Sequence, residues 1–115
     1  MNRREFQKTS NIVRALSQYF LMKGCAEVTL VVRPSEDHCT ITVAGSLVIN
    51  EQELEELSGW LNQPKTAEME YYYDDLLISA LEDNELSLLG LMIDQSQVSY
   101  QDGMLQIKVT RYFRE

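Results

Sequence analysis

The sequence predicts an α/β (α+β) two-layer sandwich, in which a mixed, mainly antiparallel sheet of about four strands carries about four helices on one face. Two stretches, near residues 28–44 and 97–110, alternate apolar and polar residues as β-hairpins do. Helical spacing of apolar residues precedes the first hairpin and fills most of the chain between the two. Because each hairpin has one apolar face, the helices have to cover that face. At 115 residues the chain is expected to be a single domain, residues 1–115.

The first helix is expected from about Arg4 to Met22, because apolar residues recur there at helical spacing. The apolar side is assigned to Phe6, Val13, Leu16 and Phe20, with Ile12, Ala15 and Tyr19 beside them. Gly24 follows, and glycine is typical of the position just after a helix.

In the first hairpin, alternation puts the apolar side chains of both strands on one face. These side chains are Val28, Leu30, Val32, Cys39, Ile41 and Val43. The turn is predicted over the four residues after Arg33, so that Arg33 faces His38 and Val32 faces Cys39. Cys25 then lies seven residues from Val32 in sequence, or about 23 Å along a strand, which is too far for a disulfide with Cys39. Reduced thiols agree with a cytoplasmic location.

The second hairpin is predicted from Asp102-Gly103, the preferred pair for a two-residue type I′ turn. This turn places Gln101 opposite Met104, and the rest of the register follows from that pair. The residues that then share the apolar face are Val98, Tyr100, Leu105, Ile107 and Val109.

Three helical segments are expected between the hairpins. Asn50 is a predicted N-cap with Glu53 at the third helical position, and the inner side of that helix carries Leu54, Leu57 and Leu61. A second helix is predicted from Thr66, with Met69, Tyr72, Tyr73, Leu76, Leu77 and Ala80 at helical spacing. Asn84 is expected to cap a short, buried helix that runs through Asp94.

The net charge of −8 is unevenly distributed along the chain. Residues 51–85 contain eleven of the 18 acidic residues and one basic residue, Lys65. The negative sign argues against nucleic acid or an anionic membrane as the main partner. A protein partner with a basic surface fits the acidic side better, and a plain solvated face is the alternative. The candidate contact residues are Glu55, Glu56, Asp74 and Asp75.

Residue types that carry chemistry are sparse in this chain. His38 is the single histidine, and strand alternation puts its side chain on the opposite face from Cys39, which argues against a metal site or a Cys-His catalytic pair. No apolar run reaches the ~20 residues of a membrane helix, and no signal-peptide pattern follows Met1. A cytoplasmic location without membrane contact is therefore expected, with no catalytic or metal-binding residue.

The order of a helix, two strands, a glycine turn, helices and two final strands resembles the GHKL, or Bergerat-fold, ATPase superfamily. This superfamily includes the ATP-binding domains of histidine kinases and the anti-sigma-factor kinases. The resemblance covers about residues 5–112 and rests on order and spacing. One glycine of the superfamily's phosphate-binding motif remains, in Leu88-Leu89-Gly90-Leu91.

Other positions that the resemblance would assign to ATP and magnesium are changed. The superfamily's first helix carries a Glu and an Asn, and the corresponding stretch here is Val13-Arg14-Ala15-Leu16-Ser17-Gln18-Tyr19. Its Asp-x-Gly motif receives the adenine amino group, and the corresponding stretch here is Val43-Ala44-Gly45-Ser46. Alanine cannot accept that hydrogen bond. The resemblance thus implies a degenerate member that has kept the scaffold and binds no cofactor.

Three function hypotheses follow. The first is a non-enzymatic regulatory or protein-interaction module of a signalling pathway, with a homodimer as one of its forms. The alternative is a residual ATP-binding protein or anti-sigma-factor-type serine kinase, which would hold nucleotide through Gly45 and Gly90. Without nucleotide, Gly45 would serve a strand end and Gly90 close helix packing. The third is a small-molecule sensor with a pocket between the sheet and the helices from Tyr72 to Leu91.

Overall fold

A computed structural model of the protein describes residues 1–62 and 89–114. The elements of this part are α1 (Arg3–Met22), β1 (Val28–Pro34), β2 (His38–Ser46), α2 (Glu51–Leu61), β3 (Gln95–Gln101) and β4 (Met104–Tyr112). The strands form one sheet in the order β1-β2-β4-β3. The three pairings among these strands are antiparallel, so the predicted α+β architecture is confirmed and the sheet of the described residues is antiparallel rather than mixed.

Helix α1 begins and ends where the sequence predicts. The Asn2 side chain accepts a hydrogen bond of 2.8 Å from the backbone N–H of Glu5 and caps the helix. The buried residues of the helix are Glu5, Lys8, Thr9, Ile12, Ala15, Leu16 and Phe20. The assignment of Phe6 to the buried side is wrong, since this side chain is 65% exposed. The buried stripe starts one residue earlier, at Glu5, and one residue is about 100° around a helix.

In the first hairpin the predicted faces are confirmed and the predicted register is wrong. Arg33 faces Thr40, and Pro34 still belongs to the strand and faces Cys39. The turn therefore comes one residue later on the first strand, and the N–H of Ser35 donates to the carbonyl of His38 at 2.7 Å. Proline lacks the N–H of a sheet ladder, but it is tolerated at the end of an edge strand such as β1. The turn thus lies one residue later on each strand than predicted, so the residues that share the inner face are the predicted ones.

The second hairpin has the predicted turn and register. Asp102 and Gly103 both have positive φ, at 54° and 76°, as a type I′ turn requires. Gln101 pairs with Met104 and Tyr100 pairs with Leu105. The inner residues of β4, Leu105, Ile107 and Val109, are buried in the core.

Helices α1 and α2 contribute to one core with the inner face of the sheet. Leu16 and Phe20 of α1 and Leu57 and Leu61 of α2 are fully or almost fully buried in it. Asn50 caps α2 as predicted, because its side chain accepts from the N–H of Glu53 at 2.8 Å. No helix of the described residues is long and apolar enough to cross a membrane.

The chain enters β3 through a buried turn. Residues 89–93 are buried, as predicted, but the expected helix does not extend through Asp94, because the chain turns after Leu89. The N–H of Met92 donates to the carbonyl of Leu89 at 2.8 Å in this turn. The helix predicted from Thr66 and the cap predicted at Asn84 lie outside the described residues.

Candidate functional site

Gly45, the first residue assigned to nucleotide binding, lies inside β2 and faces helix α1. It pairs with Val28 on one side and with Leu105 on the other. A Cβ atom here would collide with the Cys25 Sγ and would lie 2.9 Å from the Glu27 carbonyl oxygen and 3.2 Å from the ring of Phe20. The absent side chain thus lets the end of α1 approach the sheet. Gly45 is the penultimate residue of β2 and is not among the glycines with positive φ, so close packing, rather than a permissive backbone at the strand end, accounts for the glycine here.

Gly90, the second such residue, gives room to the backbone of α2. A Cβ atom here would overlap the carbonyl oxygen of Trp60 and would lie 3.0 Å from its carbonyl carbon and 3.3 Å from the Cα of Leu61. These three atoms belong to the main chain, which cannot rotate aside as a side chain can. Close packing therefore accounts for the glycine at this position, as one of the sequence interpretations predicts.

The two glycines are not brought together at one site. The atoms closest to Gly45 belong to Phe20 of α1 and to Cys25 and Glu27 in the loop between α1 and β1, whereas those closest to Gly90 belong to the end of α2. At each of the two glycines, other protein atoms fill the space that a Cβ atom would occupy. A phosphate group that used the small size of either glycine would have to displace these atoms.

The acidic candidate surface is described in part. Glu55 and Glu56 are exposed on α2, so both carboxylates can meet another molecule. The side chain of Gln52 donates to Glu56 at 3.4 Å, a long hydrogen bond on the same helix. Asp74 and Asp75 lie outside the described residues.

A basic side chain from α1 borders this surface. The ammonium group of Lys23, just after the end of α1, lies 2.6 Å from a carboxylate oxygen of Glu53. It also lies 5.7 Å from the ring centre of Tyr19. The hydrogen bond with Lys23 lowers the pKa of Glu53, and the same bond raises the pKa of Lys23. Burial, and then the negative charges of Glu53 and Glu56, raise the pKa of Tyr19, whereas the charge of Lys23 lowers it.

Replacing Lys23 with methionine is expected to raise the pKa of the Glu53 carboxyl toward its ordinary value. A folded-state pKa below the ordinary value contributes stability above the ordinary value, and this contribution is lost as the pH falls through the lowered pKa. The wild type should therefore lose the contribution of this pair at acidic pH, and Lys23→Met should not. Carboxyl chemical shifts followed by NMR against pH measure both pKa values. An unchanged Glu53 pKa in the variant would contradict the pairing.

The pair that the sequence interpretation missed is a buried ion pair between Glu5 and Arg111. Both side chains are 1% exposed. The guanidinium Nε and Nη2 donate to the two carboxylate oxygens of Glu5, each at 2.9 Å, and Nη1 donates to the Met92 carbonyl at 2.7 Å. Strand alternation could have found the arginine, because Arg111 shares the inner face with Ile107 and Val109.

His38 and Cys39 do not form a reactive pair. The ring of His38 lies 2.7 Å from the carboxylate of Asp37 at the exposed turn, and this hydrogen bond lowers the pKa of Asp37. Cys39 is buried on the inner face, and burial raises the pKa of its thiol. A raised thiol pKa disfavours the nucleophilic thiolate. In the described ranges, no three His, Cys, Asp or Glu side chains are grouped as metal ligands.

Comparison of the chain with models of protein families found no match, and comparison with curated proteins found none either.

Proposed function

We propose that this protein is a non-enzymatic regulatory or protein-interaction module of a signalling pathway, built on a degenerate histidine-kinase-type ATPase scaffold. The observation that carries the proposal is the packing of Gly90 against the backbone of α2. In a phosphate-binding loop, the missing side chain lets a ligand approach the backbone N–H groups. Here the main chain of Trp60 occupies that space, which favours a structural role for the glycine.

The surface proposed for the partner is the exposed acidic side of α2, with Glu55 and Glu56 at its centre. The charge of Glu53 is balanced by Lys23 at 2.6 Å. Among the described residues, the Glu55 side chain has no hydrogen-bond or ion-pair partner, and Glu55 is exposed to solvent. A partner with lysine or arginine side chains would complement these carboxylates, and Asp74 and Asp75 are proposed to extend the same surface.

Thermal unfolding with magnesium and ATP separates this proposal from a residual ATPase or serine kinase. If about 1 mM nucleotide is about 100 times the dissociation constant of the site, binding adds about 2.7 kcal/mol to the free energy of unfolding. This corresponds to a rise in melting temperature of more than about 8 °C. We expect no shift in the melting temperature of the wild-type protein with either ATP or ADP. A magnesium-dependent shift would contradict the proposal and support the kinase alternative.

Charge reversal tests the acidic surface separately. Glu55→Lys with Glu56→Lys is expected to reduce the capture of a specific partner at least about tenfold, because like charges then oppose each other. The matched control is Glu36→Lys with Asp37→Lys, which makes the same change of net charge at the exposed turn of the first hairpin. Equal loss of capture in both variants would indicate a net-charge effect and would contradict this assignment of the surface.

A further inference from the structure

Strand β1 is an open edge of the sheet with apolar side chains on both faces. Among the described strands it pairs with β2 alone. Leu30, Val31 and Val32 are 39%, 37% and 40% exposed. The other edge, β3, differs, because its exposed residues are Gln95, Gln97, Ser99 and Gln101. An unpaired strand with exposed apolar side chains is a ready site for another strand, which natural edges usually prevent with charges or prolines.

The protective residues of β1 are confined to its end. Arg33 and Pro34 are the last two residues of the strand, whereas residues 28–32 carry no charge. Glu27 directly precedes the strand and is exposed. The edge thus has an acidic residue before the strand and a basic residue near its end. When two copies of the strand run antiparallel, the acidic end of each lies beside the basic end of the other.

We propose that β1 pairs with β1 of a second copy in antiparallel orientation, with Leu30 opposite Leu30 of the second copy. This register places each Glu27 opposite an Arg33, and each Val28 opposite a Val32. Thr29 faces Val31 on the outer side. Every apolar residue of the inner face therefore meets another apolar residue, and the two flanking charges are paired twice by the two-fold axis.

Neighbouring registers are less complementary. In an antiparallel pair, residues whose N–H and C=O groups point outward must face each other. This condition still holds when the residue on the two-fold axis is moved by one along β1. With Val31 at the centre, Arg33 faces Thr29, and Glu27 faces Ser35. With Thr29 at the centre, Glu27 faces Val31. Both shifts lose the paired charges, so the Leu30-centred register is the one that the edge favours.

The dimer is expected to be weak, because one pair of strands buries less than the roughly 1,600 Å² of a standard interface. This inference does not depend on the acidic surface of α2 or on nucleotide binding, so it can fail or succeed separately. Its association should be measured by sedimentation equilibrium over a wide concentration range. A protein that stays monomeric up to about 1 mM, where even a dissociation constant in the millimolar range gives detectable dimer, would overturn it.

A charge swap tests the paired termini of the edge. Glu27→Arg and Arg33→Glu each place like charges opposite each other twice, and each is expected to weaken the dimer about tenfold or more. The double variant restores opposite charges and should return the dissociation constant to near the wild-type value. Lys108→Glu on β4, which is not at the edge, is the matched control and should have no effect. Single variants that dimerise as well as the wild type would refute the Glu27 pairing with Arg33.

Single cysteines test the register itself. In the proposed dimer, Leu30→Cys brings two thiols directly opposite each other, whereas Val31→Cys does not. Oxidation should therefore cross-link Leu30→Cys into a covalent dimer, and Val31→Cys should cross-link at least about tenfold less. The native Cys25 and Cys39 are buried and free, and the oxidised wild type gives the background. Preferential cross-linking of Val31→Cys would overturn the register. Circular dichroism should show the wild-type fold for each variant.

Discussion

Replacing Glu5 with glutamine is expected to lower the free energy of unfolding by about 3–5 kcal/mol, since it removes the carboxylate that accepts two hydrogen bonds from the buried, charged Arg111. The melting temperature should fall by at least about 12 °C. The reason is the burial of the pair, because both side chains are 1% exposed and water cannot solvate the remaining guanidinium. Urea unfolding at neutral pH measures the difference.

The control for this prediction removes both charges together. Glu5→Leu with Arg111→Met is expected to unfold within about 2 kcal/mol of the wild type, because buried ion pairs and apolar pairs of similar volume have similar net stability. One remaining cost is at the Met92 carbonyl, which loses the donor that now lies 2.7 Å away. If Glu5→Gln changed the stability by less than about 1 kcal/mol, the pair would be partly solvated and the prediction wrong.

Replacing Gly90 with alanine is expected to destabilise the protein by about 3 kcal/mol, the upper end of the usual cost of overpacking. The new Cβ would overlap the carbonyl oxygen of Trp60 and would stand 3.3 Å from the Cα of Leu61. Because these atoms belong to the backbone of α2, the end of the helix would have to move away from the turn. Chemical denaturation gives the magnitude, and amide exchange of α2 should increase.

Gly59 provides a matched control for the same substitution. It lies on the exposed side of α2, and a Cβ there would have no atom within 4 Å. Gly59→Ala should raise the stability by up to about 1 kcal/mol, because alanine has the higher helix propensity. Opposite signs for these two Gly→Ala changes would establish that Gly90 is retained for packing. Equal and small effects would leave the glycine without this explanation.

Local sequence signals predict the parts of the fold that local chemistry decides. Asp102-Gly103 has a strong preference for positive φ at both positions, so it determines both the turn and the register of the second hairpin. The predicted cap Asn50 marks the start of α2 with its side-chain oxygen 2.8 Å from the backbone N–H group that it satisfies, and Asn2, which was not predicted, caps α1 in the same way. In these cases the residues that decide the structure are close together in the chain.

The errors arise where distant residues decide. Phe6 is the better core residue by hydropathy, but Glu5 is buried because Arg111, 106 positions away, needs its carboxylate. Pro34 belongs in a turn by local preference, and its place in the strand depends on β1 being an edge. The outcome for the candidate site is similar, because the neighbours of Gly45 and Gly90 could not be read from sequence spacing.

The strand order has a consequence for the synthesis of the chain. Strand β4 is the last of the described elements in sequence, yet it lies between β2 and β3 and carries the arginine that holds the first turn of α1. Before β4 has left the ribosome, β2 lacks one neighbour and Glu5 lacks its partner. The native sheet can therefore close only after β4 has emerged, and its long-range pairings predict slow folding for a domain of this size. Until then, nascent chains expose the inner edge of β2, which gives chaperones a defined strand to protect.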